Sequence, residues 1–301
     1  MNAIEITGLS KQFTGKHMIK IDALKGLNLN IAAGEIFGFL GPNGAGKSTT
    51  IKLVMGLLRP TSGAAQIMGL DVSRPESRYN VGYLPENPAF YDYLSAEEYI
   101  TFVGTQFKMD STLLEQRTED VLIRLDLWDA RKRPMRGYSK GMIQRVGLAQ
   151  ALVHDPEVYI LDEPMSGLDP IGRALVKDII LDLKARGKSV FFSTHITDDV
   201  EKVCDRVGVI VKGTLVAVDR VESILRSGVE GYVIHLQATE AESLPFAGIE
   251  ALRRTESVSE YYVPCSGFNA FMGEVNRTGT NVVLVEMKRR DLEDFFLSLV
   301  K

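Results

Sequence analysis

The segment Gly41-Pro42-Asn43-Gly44-Ala45-Gly46-Lys47-Ser48-Thr49 follows directly on the apolar run Ile36-Phe37-Gly38-Phe39-Leu40. Glycines let a backbone curl around an anion, so that its N–H groups and the N-terminus of the next helix point at phosphate oxygens. Lys47 adds a point charge between the β- and γ-phosphates, and the Ser48 hydroxyl is placed to ligate Mg²⁺. The spacing fits GxxxxGK[ST] between a strand and a helix, which reads as a nucleoside triphosphate site formed by Gly41 to Thr49.

A second run, Val158-Tyr159-Ile160-Leu161, ends in Asp162-Glu163-Pro164. Carboxylates at a strand end divide the chemistry a triphosphate needs: Asp162 ligates the metal, and Glu163 polarises the attacking water. This division predicts that the Asp162 strand lies beside the phosphate-binding strand. Other segments fall in order along the chain. Leu9-Ser10-Lys11-Gln12-Phe13 and Val81-Gly82-Tyr83-Leu84-Pro85-Glu86 precede the carboxylates, as does Tyr138-Ser139-Lys140-Gly141-Met142-Ile143-Gln144-Arg145; Ser166-Gly167-Leu168-Asp169 and Ser193-Thr194-His195 follow them.

This ordered series resembles the ABC (ATP-binding cassette) ATPases. The resemblance covers about residues 3 to 220 and implies ATP and Mg²⁺ as ligands. It implies an α/β fold, a P-loop NTPase with a RecA-like core plus antiparallel β and helical subdomains. Ser139, Lys140, Gly141 and Met142 then look like the signature sequence, usually LSGGQ, whose helix N-terminus faces the ATP of a second subunit. Asp169 belongs to the D-loop across that interface, and His195 is the switch histidine that donates to the γ-phosphate. Phe13 takes the place of the adenine-stacking aromatic, its alternative being a core phenylalanine. Glu86 stands where the family has a Q-loop glutamine; it either ligates Mg²⁺ or lies on the surface. Lys140 for glycine and Met142 for glutamine also depart from the family pattern, and the direction of their effect is open.

The implied function is the ATP-hydrolysing subunit of a transporter, closing as a dimer around two Mg·ATP and driving a separate membrane permease, as in bacterial multidrug-type exporters. The implied partners are that permease and a second copy or related ATPase, at the cytoplasmic face of the membrane. The series Pro88, Phe90, Tyr91, Tyr93 and Leu94 lies where the helical subdomain receives the permease, as a docking groove or as a buried loop core. The other class of function is a non-transport ATPase of the same superfamily acting on ribosomes or nucleic acid. Its usual two cassettes and basic arms are not seen here.

The elements that position these residues follow from periodicity. Helical rhythm from Lys47 to Leu58 predicts a helix after the glycine loop. Helices are expected again from Ser95, where Ser95 and Glu98 are spaced as a capping box, through Leu113–Leu127 and Gly141–Val153. A helix near Gly172–Arg186 separates the apolar strands Val158–Leu161 and Ser189–Ser193. A hairpin near Asp205–Asp219 and a short helix to Arg226 close a cassette of residues 1–226, with the helical insertion at about 88–153. Ser227-Gly228 and Gly231 mark a boundary to a small α+β unit, 227–301. It reads as strands at Tyr232–Leu236, Tyr261–Val263 and Val282–Glu286, with helices at Asn269–Arg277 and Asp291–Val300.

The 301 residues suit a large domain plus a small one, and 45% hydrophobic with 25% charged residues is a globular balance. A net charge of -4 argues against a polyanion-binding surface, so no nucleic acid partner is expected. The short cluster Arg131, Lys132, Arg133, Arg136 reads as a solvated loop. Cys204 and Cys265 have no metal or disulfide spacing. The N-terminus lacks the order of a signal peptide, and no apolar stretch reaches the roughly eighteen residues of a membrane span. His17, His154 and His235 stand alone and read as structural or surface residues.

Overall fold

The computed structural model describes residues 1–14, 20–227, 229–237, 249, 251–255, 257–289 and 292–300. The expectations on His17, Gly228 and Asp291 fall outside them. Two compact units are present, Met1–Val221 and Glu222–Lys301.

The first unit opens with the antiparallel pair β1 (Asn2–Thr14) and β2 (Lys20–Ala32). The fully buried β3 (Ile36–Leu40), helix α1 (Lys47–Val54), β4 (Ser62–Ile67) and β5 (Leu70–Asp71) follow. Because β4 returns to β1, the first sheet runs β2-β1-β4-β5. Next come β6 (Val81–Leu84) and three helices, α2 (Ala96–Gln106), α3 (Ser111–Arg124) and α4 (Lys140–Leu152). The unit ends with β7 (Val158–Asp162), α5 (Pro170–Ala185), β8 (Ser189–Thr194), α6 (Thr197–Val203), and the hairpin β9 (Arg206–Val211) and β10 (Thr214–Arg220). The second sheet is ordered β10-β9-β3-β8-β7-β6, parallel except for β10.

Every residue of β3, β7 and β8 is buried, the property of parallel strands covered on both faces. The two sheets share one apolar core, to which Ile4, Ile6, Leu29 and Ile31 of the first, Phe37, Phe39 and Phe191 of the second, and Ile51 and Val54 of α1 all belong.

Two sequence expectations need correction. Helix α1 stops at Val54 rather than continuing to Leu58. Gly56 takes a left-handed φ of 65°, its N–H reaches the Leu53 carbonyl (3.0 Å), and the Leu57 N–H reaches that of Lys52 (2.8 Å). These bonds close the helix before its apolar rhythm ends. The Asp162 strand also does not lie beside the phosphate-binding strand. β8 intervenes, pairing Phe37 with Phe191 on one side and Leu161 with Phe192 on the other. Two strand spacings, about 10 Å, therefore separate β3 from β7. The link across that gap is made by α1, which carries Ser48 to Asp162.

The second unit contains α7 (Val221–Ser227, whose first residue closes the first unit), β11 (Val229–Gln237), β12 (Ala251–Arg254), β13 (Val258–Pro264), α8 (Phe268–Thr278), β14 (Val282–Arg289) and α9 (Leu292–Val300). Its antiparallel sheet runs β12-β13-β11-β14, and β12 has no counterpart in the sequence reading. Ile234, Leu236, Tyr261 and Val263 pack with Phe271 and Val275 of α8. His154 stacks on Phe107 with ring centroids 3.7 Å apart, and burial pushes its pKa down to about 4. It is a neutral packing residue.

The predicted capping box is present: Ser95 Oγ accepts the Glu98 N–H, and the Glu98 carboxylate accepts the Ser95 N–H at 2.8 Å. Ser95→Ala should cost about 1 kcal/mol. Thermal unfolding should then begin lower by roughly 2–4 °C, with ATP affinity unchanged; an unshifted melting curve would show that α2 does not depend on this cap.

Candidate active site

The phosphate-binding loop is shaped by close backbone packing. A Cβ at Gly41 would lie 2.5 Å from the Ile210 carbonyl oxygen, and Gly46 combines a φ of 111° with a Cβ position 2.6 Å from the Ala23 oxygen. Only glycine fits either place. Gly46 is also the N-cap of α1 and supplies no side-chain cap, and the first turn carries no carboxylate. The first-turn N–H groups of α1 therefore open toward an incoming anion. A cleft of about 210 Å³ lies there, lined by Ala23, Asn43, Gly44, Gly46, Lys47, Ser48, Thr49, Glu86 and Glu163.

The side chains in this cleft form a connected network. Lys47 is only 6% exposed; its ammonium donates to the Gly41 carbonyl at 2.7 Å and sits 3.3 Å from Glu163 Oε1. His195 Nδ1 lies 3.0 and 3.1 Å from the two oxygens of the same carboxylate. Ser193, wholly buried on β8, donates to Asp162 Oδ1 at 2.6 Å and accepts the Glu163 N–H at 3.0 Å. Glu163 itself has a φ of 50°. A left-handed non-glycine residue costs on the order of 1 kcal/mol, and here it turns Glu163 away from Asp162 at the strand end.

Asp162, Ser48 and Glu86 converge on the other side of the network. Ser48 Oγ is 3.2 Å from Asp162 Oδ1 and 3.4 Å from Glu86 Oε2. Asp162 Oδ2 is buried without a hydrogen-bond partner. Burial pushes the Asp162 carboxyl above its ordinary range, hydrogen bonds from Ser193 and Ser48 oppose the rise, and the charges of Glu86 and Glu163 add to it. A hard divalent cation suits these oxygens: it would use the orphaned Oδ2 and offset the crowded negative charge.

The remaining sequence candidates lie elsewhere. Phe13 is 38% exposed, so it is not a core phenylalanine; it pairs with Ile21 at the end of the β1–β2 hairpin, and Lys11 Nζ is 5.1 Å from its ring centroid. Ser139 caps α4, its Oγ accepting the Met142 N–H at 3.2 Å. None of Ser139, Lys140, Gly141 and Met142 lines the phosphate cleft. A Cβ on Gly141 would meet nothing nearer than Leu168 at 3.5 Å, so no crowding within the chain demands glycine there. The Lys140 stem lies over Gly167, and Asp169 caps α5 through the Gly172 N–H at 2.7 Å. Ser193 had no role in the sequence reading; the available signal was a hydroxyl in an otherwise apolar central strand.

Comparison with known proteins agrees with this geometry. The ABC transporter family model matches residues 24–166. An uncharacterized ABC transporter ATP-binding protein of Synechocystis sp. is 38% identical over 98% of this chain and 84% of its own length. The chain belongs to the ABC transporter ATP-binding protein family. A fluoroquinolones export ATP-binding protein of Mycobacterium tuberculosis is 40% identical over 65% of each chain. Among solved structures, an ATP-binding subunit of an ABC transporter superposes with a TM-score of 0.68 at 30% identity, covering 75% of this chain and 92% of that one. The fold is thus that of an ABC ATPase cassette, a P-loop NTPase, and the enzyme is an ATPase of that family.

The raised carboxyl pKa has a stability consequence whose sign is set by burial. A carboxylate that is harder to ionise in the folded protein lowers stability as pH rises from its ordinary range through the raised value. In the nucleotide-free protein Asp162→Asn should therefore raise the melting temperature at neutral pH by roughly 2–4 °C, for a gain of about 1 kcal/mol. The gain should vanish at acid pH. A lowered melting temperature at neutral pH would show that the Asp162 charge is already compensated.

Proposed function

We propose that this ATPase binds Mg·ATP in the Gly41–Thr49 cradle, hydrolyses it with Glu163 as general base, and drives a separate membrane permease as a dimer. The observation that carries the reading is the Glu163 carboxylate held between Lys47 and His195 beside an open helix N-terminus.

Lys47 and His195 both face Glu163. An incoming triphosphate supplies a stronger partner for the Lys47 ammonium, which turns to the β- and γ-phosphates while backbone N–H groups of Gly44 to Ser48 surround them. Glu163 is left free to accept a proton from a water in line with the γ-phosphorus. The water oxygen bonds to phosphorus, the bond to the β,γ-bridging oxygen breaks with its electrons going to ADP, and the proton rests on Glu163. His195 donates to a γ-phosphate oxygen and holds its charge as it shifts. Ser48, Asp162 and Glu86 would hold Mg²⁺, which neutralises phosphate charge when bound. Phe13 offers an exposed π-face to adenine.

Ser139, Lys140, Gly141 and Met142 stand outside the chain's own cleft, with Ser139 at a helix N-terminus that carries no acidic residue. They serve the ATP of a second copy or a related ATPase subunit, where close approach of that nucleotide explains Gly141. Asp169 fixes the D-loop at the same interface. The permease partner rests on family membership and on the described residues, among which no helix is long and apolar enough to cross a membrane. Tyr91 and Tyr93, 59% and 65% exposed, form a tilted ring pair suited to docking it, in the same segment as Pro88, Phe90 and Leu94; the Phe90 ring packs instead on Tyr99. The subunit then works at the cytoplasmic face of the membrane. Export is favoured by the name of the mycobacterial relative. A ribosome or nucleic acid substrate finds no support in the basic cluster: Arg131 is engaged by Glu97 and Trp128, and Arg133 lies over Tyr138.

Glu163→Gln should bind ATP normally, lose turnover by about 100-fold or more, and accumulate a nucleotide-bound dimer on size-exclusion chromatography. Hydrolysis at the wild-type rate would remove Glu163 from the mechanism. Lys47→Ala should weaken ATP binding itself, read by calorimetry. The reading also requires that the wild-type chain with non-hydrolysable ATP dimerise in the presence of its permease; a persistent monomer refutes it.

A further inference from the structure

Glu163 holds a backbone conformation that an L-residue does not choose unaided, so something must impose it. Its N–H is held by Ser193 Oγ. On the other side, the side-chain amide of Gln144 donates to the Glu163 carbonyl at 3.3 Å and to the Pro164 carbonyl at 3.3 Å. Both partners are carbonyl oxygens, so the atom facing them is the NH₂ group, which has two hydrogens and can serve both. Gln144 is 4% exposed. A buried amide that spends its donors on two consecutive carbonyls fixes the chain direction through that turn, and with it the aim of the Glu163 carboxylate.

Gln144 lies on α4, whose N-terminus is capped by Ser139. Five residues of helix, about 7.5 Å, separate the two. The segment assigned above to the partner's ATP and the residue that pins this chain's own base are therefore parts of one rigid element.

We infer that Gln144 is a positioning residue for Glu163: its amide holds the Glu163–Pro164 turn at positive φ and so keeps the carboxylate aimed into the cleft. The inference rests on the reading of Glu163 given under the proposed function. Without that amide the turn relaxes toward negative φ and carries the carboxylate away from the γ-phosphate.

The test uses the full-length protein. Gln144→Met keeps the side-chain length and removes the donor. Its kcat should fall about 10- to 100-fold, as a misaimed catalytic group predicts, while KM for ATP stays within about twofold; the lost buried bonds should lower the melting temperature by a few degrees. A purely structural role would move KM along with the melting temperature and kcat. In the Glu163→Gln background, Gln144→Met should lower residual turnover no further, because its effect passes through the Glu163 carboxylate. Should Gln144→Met fail to fold, Gln144→Asn, which keeps the amide but draws it back by one carbon, carries the same expectations. An unchanged kcat in a folded Gln144 variant, or an additive loss on top of Glu163→Gln, overturns the inference. If Glu163→Gln itself hydrolyses ATP normally, the assignment of the base fails first, and the two failures are told apart.

Discussion

Two adjacent carboxylates at the end of a wholly buried strand are the constraint on which the rest of this cassette depends. Asp162 is 1% and Glu163 7% exposed, and charge removed from water must find partners. The structure treats the two differently. Glu163 is turned by its left-handed backbone toward Lys47 and His195, which supply opposite or donating groups on both sides. Asp162 receives only hydroxyls, from Ser193 and Ser48, and keeps one oxygen unpaired. Under the proposed function the first exchanges a proton and the second takes a cation. The glycine loop, the hydroxyl of β8 and the residue after β8 are the parts that make this division possible.

Much of that arrangement was legible because it is local. The glycine spacing before Lys47, the carboxylates closing an apolar run and the Ser95–Glu98 box are each decided within a few residues, and each appears in the structure where the sequence places it. What depends on distant chain was not legible. The apolar rhythm of α1 runs to Leu58, yet the left-handed Gly56 ends the helix, because two backbone bonds to Leu53 and Lys52 outweigh continued periodicity. Nothing in the β7 sequence says that β8 separates it from β3, since both are uniformly buried and would fit either place. Strand β12, Ala251–Arg254, sits at a sheet edge and carries neither alternation nor a continuous apolar run to announce it. Ser193 reads as a neutral member of an apolar strand until its neighbours Asp162 and Glu163 are seen beside it. For Phe13 the sequence left two readings, and its exposure removes the core one.

The network also sets which groups the cleft can hold. Lys47 Nζ lies between the Gly41 carbonyl and the Glu163 carboxylate at the open N-terminus of α1, where an anionic ligand finds a cation and free N–H groups together. Asp162 and Glu86 bring two carboxylates to Ser48, and the charge of Glu86 adds to the rise in the Asp162 carboxyl. Under the proposed function one ligand would meet both conditions, its phosphates at Lys47 and the first-turn N–H groups and its cation at the unpaired Asp162 oxygen. Phosphate and cation would then favour each other's binding, because each offsets charge that the other brings.

The placement of donors supports the second subunit of the proposed function. The charged groups that line the cleft, Lys47, Glu86 and Glu163, lie on α1, beside Ser48 and directly after β7, and none of Ser139, Lys140, Gly141 and Met142 lines it. Helix α4 has an N-terminus capped by Ser139 and free of carboxylates, a place suited to an anion held outside the chain's own cleft. Under the proposal, a head-to-tail pair of copies would bring that terminus to the γ-phosphate seated in the opposing cleft, and closure would depend on the γ-phosphate because that group carries the charge the helix would meet.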